Sequence, residues 1–528
     1  MKTINMKTIK IFVLFLFSAI NVFSQTNDEQ EIENSINRYI KSVDFNGRIV
    51  VFKGDSLKLD YKNGYSNFEK NILIDETTTF NIASVSKMIT SIAILSLIDD
   101  GIIKLEDKLN SYYPKLPKGI TIENLLNHTS GLQKRVFVIG HNWKALNGSI
   151  NPKTFIEFLA KEPVRFVPNE KFEYNNTNYI VLYDLFKKIK NQRIEEYMVA
   201  NGYFKSFDDT KNRAISYDYN ELNGQWVFDE NMPGNFESSY EKSLLGAGHY
   251  YINPKESIDI VKAYKNFISN NAFEKVIKPS VVSILDKDES DYGYGARIQY
   301  DNNKNKILNH IGKNYGGRSY FSYYPSSDIT VFLVTNIDDP NFQNFAIQLN
   351  EVVANHNEFK MPKLSIAYQL SKHISVSSSN DQINDEFYRL KKTNRFYISR
   401  PELNDIAYHL WEQNEKEKSL EIMKINTQEF PDNANLHFNY ADGLQETKDY
   451  TKAVKEYNIA KNLNIKLGRK INHIDTRITF CLKKTNKNDI EEENRITELA
   501  SQLENLQMRS ITLKEDIKHL KWKNINRD

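Results

Sequence analysis

The chain has 528 residues, 40% of them hydrophobic and 26% charged, which makes it too long for one ordinary core and too apolar for global disorder. At least two globular domains are expected. Its 70 basic and 68 acidic side chains nearly cancel, which excludes the electrostatic footprint of a dedicated nucleic-acid binder.

At the start, Lys7 and Lys10 precede an apolar run from Ile11 to Phe23, and the small Ser24 precedes Gln25. That order matches a secretory signal peptide over residues 1–24. The run is about 13 residues where a spanning helix needs roughly 20. The mature chain is therefore expected to start near Gln25, in the periplasm or secreted, with no integral membrane segment after cleavage. Cys481 is the only cysteine, so no intrachain disulfide can form.

Next, Ile32, Ile36, Ile40 and Val43 recur at helical spacing until Asn46-Gly47 breaks the pattern. Gly47 to Lys53 and Ser56 to Tyr65 flank Gly54-Asp55 and read as a β-hairpin. Val85 to Leu97 is apolar on nearly every face, the pattern of a helix buried inside a domain, with Ser84 at its start. Later, Tyr292 to Tyr300, Lys306 to Asn309, Ser319 to Tyr324 and Ile329 to Asn336 read as strands, with Gly316-Gly317 as a turn or bulge. An α+β fold follows, an antiparallel sheet flanked by helices with an all-helical part, over residues 25–360.

Beyond Pro362 the chain turns to polar helices, and a shift of 34 residues aligns Ala407 with Ala441, Leu410 with Leu444, Ser419 with Ala453 and Met423 with Tyr457. This resembles tetratricopeptide repeats, expected over 361–484, with 364–394 and 467–484 as degenerate flanking helix pairs. Residues 485–528 read as a charged helical tail or cap.

A serine hydroxyl is a poor nucleophile until one group takes its proton and another holds the developing oxyanion. In Ser84-Val85-Ser86-Lys87, positions i and i+3 share a helix face, so Lys87 can reach Ser84. Helix-terminal potential and partial burial favour a neutral Lys87. Ser-x-x-Lys alone is a weak signal. The passage FNIASVSKMITSIAILSLIDDGIIKLEDKL at 80–109, Tyr174-Asn175-Asn176, and His310-Ile311-Gly312 follow in the order of three motifs of the serine β-lactamase and penicillin-binding protein superfamily, especially its class C-like branch. LLNHTSGL at 125–132, GAGHYY at 246–251 and YGYGARI at 292–298 add to the resemblance, which covers roughly residues 28–355.

The resemblance implies Ser84 as nucleophile, Lys87 as its proton-transfer partner, and Tyr174 as a second acid/base whose anionic form a cationic lysine would favour. It implies that Asn176 orients Lys87 and binds substrate. It also implies that His310 and Gly312 border the acyl site, and that Lys313 offers its backbone N–H to the oxyanion hole beside that of Ser84. His310 departs from the lysine of most penicillin-hydrolysing relatives, so an ester, an amide or a D-amino-acid peptide bond is the expected target, ahead of efficient β-lactam hydrolysis. Lys313 and Arg318 are candidates to restore positive charge. A β-lactamase or D-alanyl-D-alanine carboxypeptidase, and an inert periplasmic scaffold that recruits a protein partner through its repeats, stay open as alternatives. No cofactor and no metal are expected, since the ten histidines lack metal-site spacing. His128 reads as a hydrogen-bonded loop residue.

Overall fold

The computed structural model describes residues 27–485 and position 502, apart from 42–44, 136–137, 139–151, 206, 208–211, 221–224, 228–243, 279–290, 315, 340, 356–359, 375–377 and 467–470. The expected leader and nearly all of the charged tail lie outside the described residues.

The first helix, α1, spans Asn27–Ile40 and is followed by strands β1 (Gly47–Lys53) and β2 (Ser56–Asn63). Five further strands arrive late in the chain: β3 (Asp291–Tyr292), β4 (Arg297–Tyr300), β5 (Lys306–Asn314), β6 (Gly317–Tyr324) and β7 (Ile329–Thr335). They form one seven-stranded sheet in the order β2-β1-β7-β6-β5-β4-β3, with every neighbouring pair antiparallel. The expected strand from Tyr292 to Tyr300 is in fact a tight hairpin. Gly293 and Gly295 turn it between β3 and β4, pairing Tyr292 with Arg297. The expected strand ending at Asn309 runs on to Asn314, so His310, Gly312 and Lys313 all lie on β5.

Side chains of β1 alternate between two cores, as the two-residue period of a strand requires. Ile49 and Val51 pack with Ile36 and Tyr39 of α1 and with Phe345 and Leu349 of a helix at Phe342–Asn355. Tyr39 stacks on Phe345 with ring centres 3.6 Å apart. Val50 and Phe52 face the larger cluster, which holds the helix α2 (Ser86–Asp99) and the helix α3 (Asn176–Lys190). Every residue of α2 from Ser86 to Leu97 is buried, which accounts for its apolar character on all sides.

Past residue 360, separate clusters form around Ile366–Ser371 and Asn380–Lys392, followed by α4 (Arg400–Glu412), α5 (Lys416–Glu429), α6 (Ala434–Glu446) and α7 (Tyr450–Lys466). The start of α6 lies 34 residues after that of α4, and the start of α7 lies 34 after that of α5. Ala407, Ala441, Ser419 and Ala453 are all fully buried at the crossings. The small residues permit the close approach, and Ser419 Oγ donates to the Ala407 carbonyl across it. Of the expected helix pair over 467–484, the described residues form one helix, Asn472–Thr485, packed on α7. Among the described residues no helix is long and apolar enough to cross a membrane.

Candidate active site

Ser84 sits in a single 3-10 turn, Ala83–Val85, between a short strand at Phe80–Asn81 and α2. Ala83 has φ +44°, a left-handed conformation that costs an L-residue roughly 1–2 kcal/mol. The Asn81 side chain secures it by accepting the Ala83 N–H at 2.7 Å. One turn on, Lys87 Nζ lies 2.9 Å from Ser84 Oγ and 2.7 Å from the Ala247 carbonyl oxygen. Burial pushes the Lys87 ammonium well below the ordinary lysine value, and the Arg297 and Arg135 charges add to the effect. The carbonyl can only accept, so a Lys87 N–H points to Ala247, and the lone pair of the neutral amine is left for the Ser84 proton.

The Ala247 turn is itself braced. Thr90, three residues after Lys87 on α2, donates to the Gly246 carbonyl at 2.7 Å. The Gly246 N–H donates to His249 Nδ1 at 3.0 Å, and His249 Nε2 meets Glu195 Oε1 at 2.8 Å. Gly246 has φ +77°, and a Cβ there would stand 2.6 Å from Tyr183 Cβ and 2.7 Å from the Tyr179 carbonyl, so no other residue fits.

Tyr174 closes the other side of Lys87, whose nitrogen lies 4.9 Å from the centre of its ring. Burial raises the phenol to about 12, with Ser84 and Arg297 only partly offsetting it. The expectation of a favoured phenolate is thus corrected: Lys87 is itself driven toward neutrality and supplies little charge, so desolvation wins. Asn176 does not orient Lys87 either. That role falls to the Ala247 carbonyl, while Asn176 Oδ1 is buried without a hydrogen-bond partner at the first position of α3. Asn175 caps that helix by accepting the Thr177 N–H at 3.0 Å.

Strand β5 forms the facing wall. A Cβ on Gly312 would meet the Ile82 carbonyl at 2.6 Å and Ala83 Cβ at 2.9 Å, so the strand lies directly against the Ser84 turn. His310 is fully buried, its ring centre 6.0 Å from that of Tyr174. Lys313 and Arg318 do not restore charge to the cleft. Both side chains turn to Asp338, at 3.4 and 2.6 Å.

The positive field comes from Arg297, which sequence reasoning missed. Its guanidinium lies 5.6 Å from the Tyr174 ring centre and acts on Lys87, Tyr174, His128 and His310 alike. The YGYGARI passage was its only signal. Ala247 was equally hidden, because its contribution is a backbone carbonyl that no side-chain pattern encodes. Among the described residues no cluster of three or more His, Cys, Asp or Glu side chains could hold a metal. A separate cavity of about 640 Å³, lined by Arg318, Lys363, Tyr397 and Arg400, includes none of the motif residues.

Residues 43–201 match the family model described as "Beta-lactamase". Penicillin-binding protein 4* of Bacillus subtilis (strain 168) is 25% identical over 342 residues, covering 60% of this chain and 74% of that protein. The teichoic acid D-alanine hydrolase of Staphylococcus aureus (strain MRSA252) is 24% identical over 323 residues, 60% of this chain and 76% of that one. Among solved structures, a penicillin-binding protein from Bacillus halodurans superposes with a TM-score of 0.51 at 22% identity, covering 62% of this chain and 99% of that one. The D-amino acid amidase of Ochrobactrum anthropi SV3 gives 0.53 at 15% identity, covering 63% and 100%. At these identities the superpositions show the fold, an antiparallel sheet with helices as in penicillin-binding proteins and the D-amino acid amidase, and over residues 43–201 the chain is similar to the β-lactamase family.

Proposed function

We propose that the chain hydrolyses an ester or amide bond through a covalent acyl-Ser84 intermediate. The observation that carries this reading is the fully buried Lys87 amine held 2.9 Å from Ser84 Oγ with its other contact fixed on Ala247. Lys87 takes the Oγ proton as the oxygen attacks the acyl carbon. The backbone N–H groups of Ser84 and Lys313 hold the tetrahedral oxyanion, for which Gly312 gives β5 its close approach. Tyr174, protonated until about pH 12, gives its proton to the departing oxygen or nitrogen and is reprotonated from Lys87. Water then attacks the acyl carbon, Ser84 leaves, and the same groups return the protons. Asn176 Oδ1, buried and unpartnered, serves as an acceptor for a substrate N–H.

The substrate class follows from charge and likeness. A neutral His310 lacks the positive charge that lysine supplies at this strand position, and the positive charge of the cleft lies instead with Arg297, beside Tyr174. The teichoic acid D-alanine hydrolase and D-amino acid amidase among the similar proteins support a D-alanyl ester or D-amino-acid amide or peptide as the acyl donor. Export through a 1–24 leader to the periplasm or beyond fits such a substrate. The 34-residue helix pairs fit a tetratricopeptide-like arm over 361–484 that docks the hydrolase to a protein partner.

Intact-mass analysis after treatment with a serine-reactive phosphonate is the direct test. One adduct per chain is expected, absent in Ser84→Ala and retained in Ser86→Ala, since Ser86 Oγ is occupied with the Tyr250 N–H. An adduct on Ser84→Ala would overturn the assignment.

A further inference from the structure

Three buried side chains outside this proton path form one directed hydrogen-bond chain. His128 Nδ1 lies 3.2 Å from the Asn175 backbone nitrogen and 3.1 Å from Asn178 Nδ2. Amide N–H groups only donate, so Nδ1 is the acceptor and the proton of the neutral ring sits on Nε2. That N–H faces Tyr292 Oη at 3.3 Å. At the other end, His310 Nδ1 lies 2.8 Å from the Ile311 carbonyl, which only accepts, so the His310 proton sits on Nδ1. His310 Nε2 must then accept, and its partner, again at 3.3 Å, is Tyr292 Oη.

The two ends therefore run one way, from the Asn175 N–H to His128, from His128 to Tyr292 and from His310 to Ile311, and the Tyr292 hydroxyl faces His310 with Tyr179 as its other neighbour. These contacts tie together the HTSGL loop, the Tyr174 segment, β3 and β5. His128 is held with φ +62°, a conformation that turns its ring into the chain at some backbone cost. The basic groups acting on both rings are Lys87 and Arg297, and His128 also feels His310. The rings of Phe172, Tyr174 and Tyr179 pack around His128, and the Tyr179 hydroxyl, donating to the Leu126 carbonyl, also acts on Tyr292. A proton added to either imidazole would reverse one link and place like charge beside Arg297.

We propose that His128 and Tyr292 are positioning residues that lock His310 in its Nδ1–H form, so that the His-x-Gly strand works as a neutral, hydrogen-bonded strut against the Ser84 turn and carries no charge to the substrate. The inference rests on the acyl-transfer reading above. It explains why histidine at position 310 is compatible with a working site: its ring is committed to Tyr292 and Ile311, and the field in the cleft is left to Arg297.

The test uses the full chain with ring-15N histidine, the His310 signals being identified by their loss in His310→Asn. His310 is expected neutral at pH 7, with its proton on Nδ1, and to stay so well below the ordinary histidine value. In Tyr292→Phe, the hydrogen bond that favoured the neutral ring is gone, so His310 takes its proton about one pH unit higher. The acid limb of kcat/KM for a neutral p-nitrophenyl ester should move the same way, with kcat down about tenfold and KM changed by less than about twofold. His128→Gln, which keeps an N–H donor toward Tyr292, should hold the limb nearer its original position than His128→Leu. A His310 proton on Nε2, a charged His310 ring at pH 7, or an unmoved acid limb in Tyr292→Phe would overturn the proposal. The spectrum needs no turnover, so failure of the hydrolase reading would show separately, as ester turnover that does not depend on Ser84.

Discussion

Lys87 Nζ stands 4.9 Å from the centre of the Tyr174 ring, and the two groups are displaced in opposite senses: burial drives the amine toward neutrality and keeps the phenol protonated. The resting site therefore holds a base and an acid side by side, neither charged. Tyr174→Phe should slow ester turnover by about 10²–10⁴. Combined with Lys87→Ala it should cost little more than the worse single change, because both act on one proton path. Additive losses in steady-state kinetics would separate the two residues.

Lys87 also weakens the fold it serves. A lysine neutral when folded takes up a proton on unfolding at pH 7, so the unfolded chain is favoured by that protonation. Lys87→Met should raise stability by about 1–3 kcal/mol while abolishing turnover, even after allowing for the Ala247 carbonyl left without its donor. Thermal melts of the two proteins at pH 7 check this, and an unchanged or lower Tm would contradict it.

Acid should loosen the cleft. His128 and His310 are held well below the ordinary histidine value by burial first, then by the charges around them. Their folded pKa values are depressed, so the unfolded chain binds more protons and stability falls as pH drops below about 6.5, the unfolded value, by up to about 2.7 kcal/mol per pH unit for the pair. His437 in α6 runs the other way. Although burial opposes it, the Glu456 contact raises its pKa, so its contribution is present below about 6.5 and lost as pH rises through the folded value. Urea titrations at pH 7.5 and 5.5 should show the loss, and His310→Asn should flatten it.

Gly312→Ala should push β5 away from the Ser84 turn. The added carbon would sit 2.2 Å from Ser319 Oγ and 2.6 Å from the Ile82 carbonyl, and since that hydroxyl donates to that carbonyl, neither has room to yield. A stability loss of about 1–3 kcal/mol is expected. Phosphonate labelling of Ser84 should slow by more than about 100-fold, because the Lys313 N–H moves with the strand. Labelling at the original rate would remove β5 from the proposed oxyanion site.

Much of the site was legible because its chemistry is local. Ser84 and Lys87 are one helical turn apart, so spacing alone brings their side chains together. Apolar residues on nearly every face of Val85 to Leu97 announced a buried helix, and Gly54-Asp55 between two β-prone stretches announced the hairpin of β1 and β2, but not that β1 would lie between two cores. What stayed hidden arises across long separations. Ala247 reaches Lys87 from 160 residues away through its backbone, and Arg297 reaches Tyr174 only because β4 lies beside β5. The misread strand at 292–300 has the same origin, since an apolar run does not reveal that glycines fold it back on itself. The sign of the Tyr174 shift depended on burial, which is a property of the packed chain.

Asp338 draws the Lys313 and Arg318 side chains away from the cleft, and two acids of α4 share the same neighbourhood: Glu402 and Asp405 both feel those cations. Asp339 also acts on Arg318, and the two acids of the helical arm add further negative charge to that corner. A hydrolase unit cut free near residue 362 would lose those two acids, leaving the corner where β5 meets β6 more positive. Its retention on an anionic matrix would then rise at low salt and vanish as screening shortens to about 8 Å near physiological ionic strength. The arm is in this sense a counter-ion as well as a scaffold, and its removal changes which surfaces and polymers the enzyme adheres to.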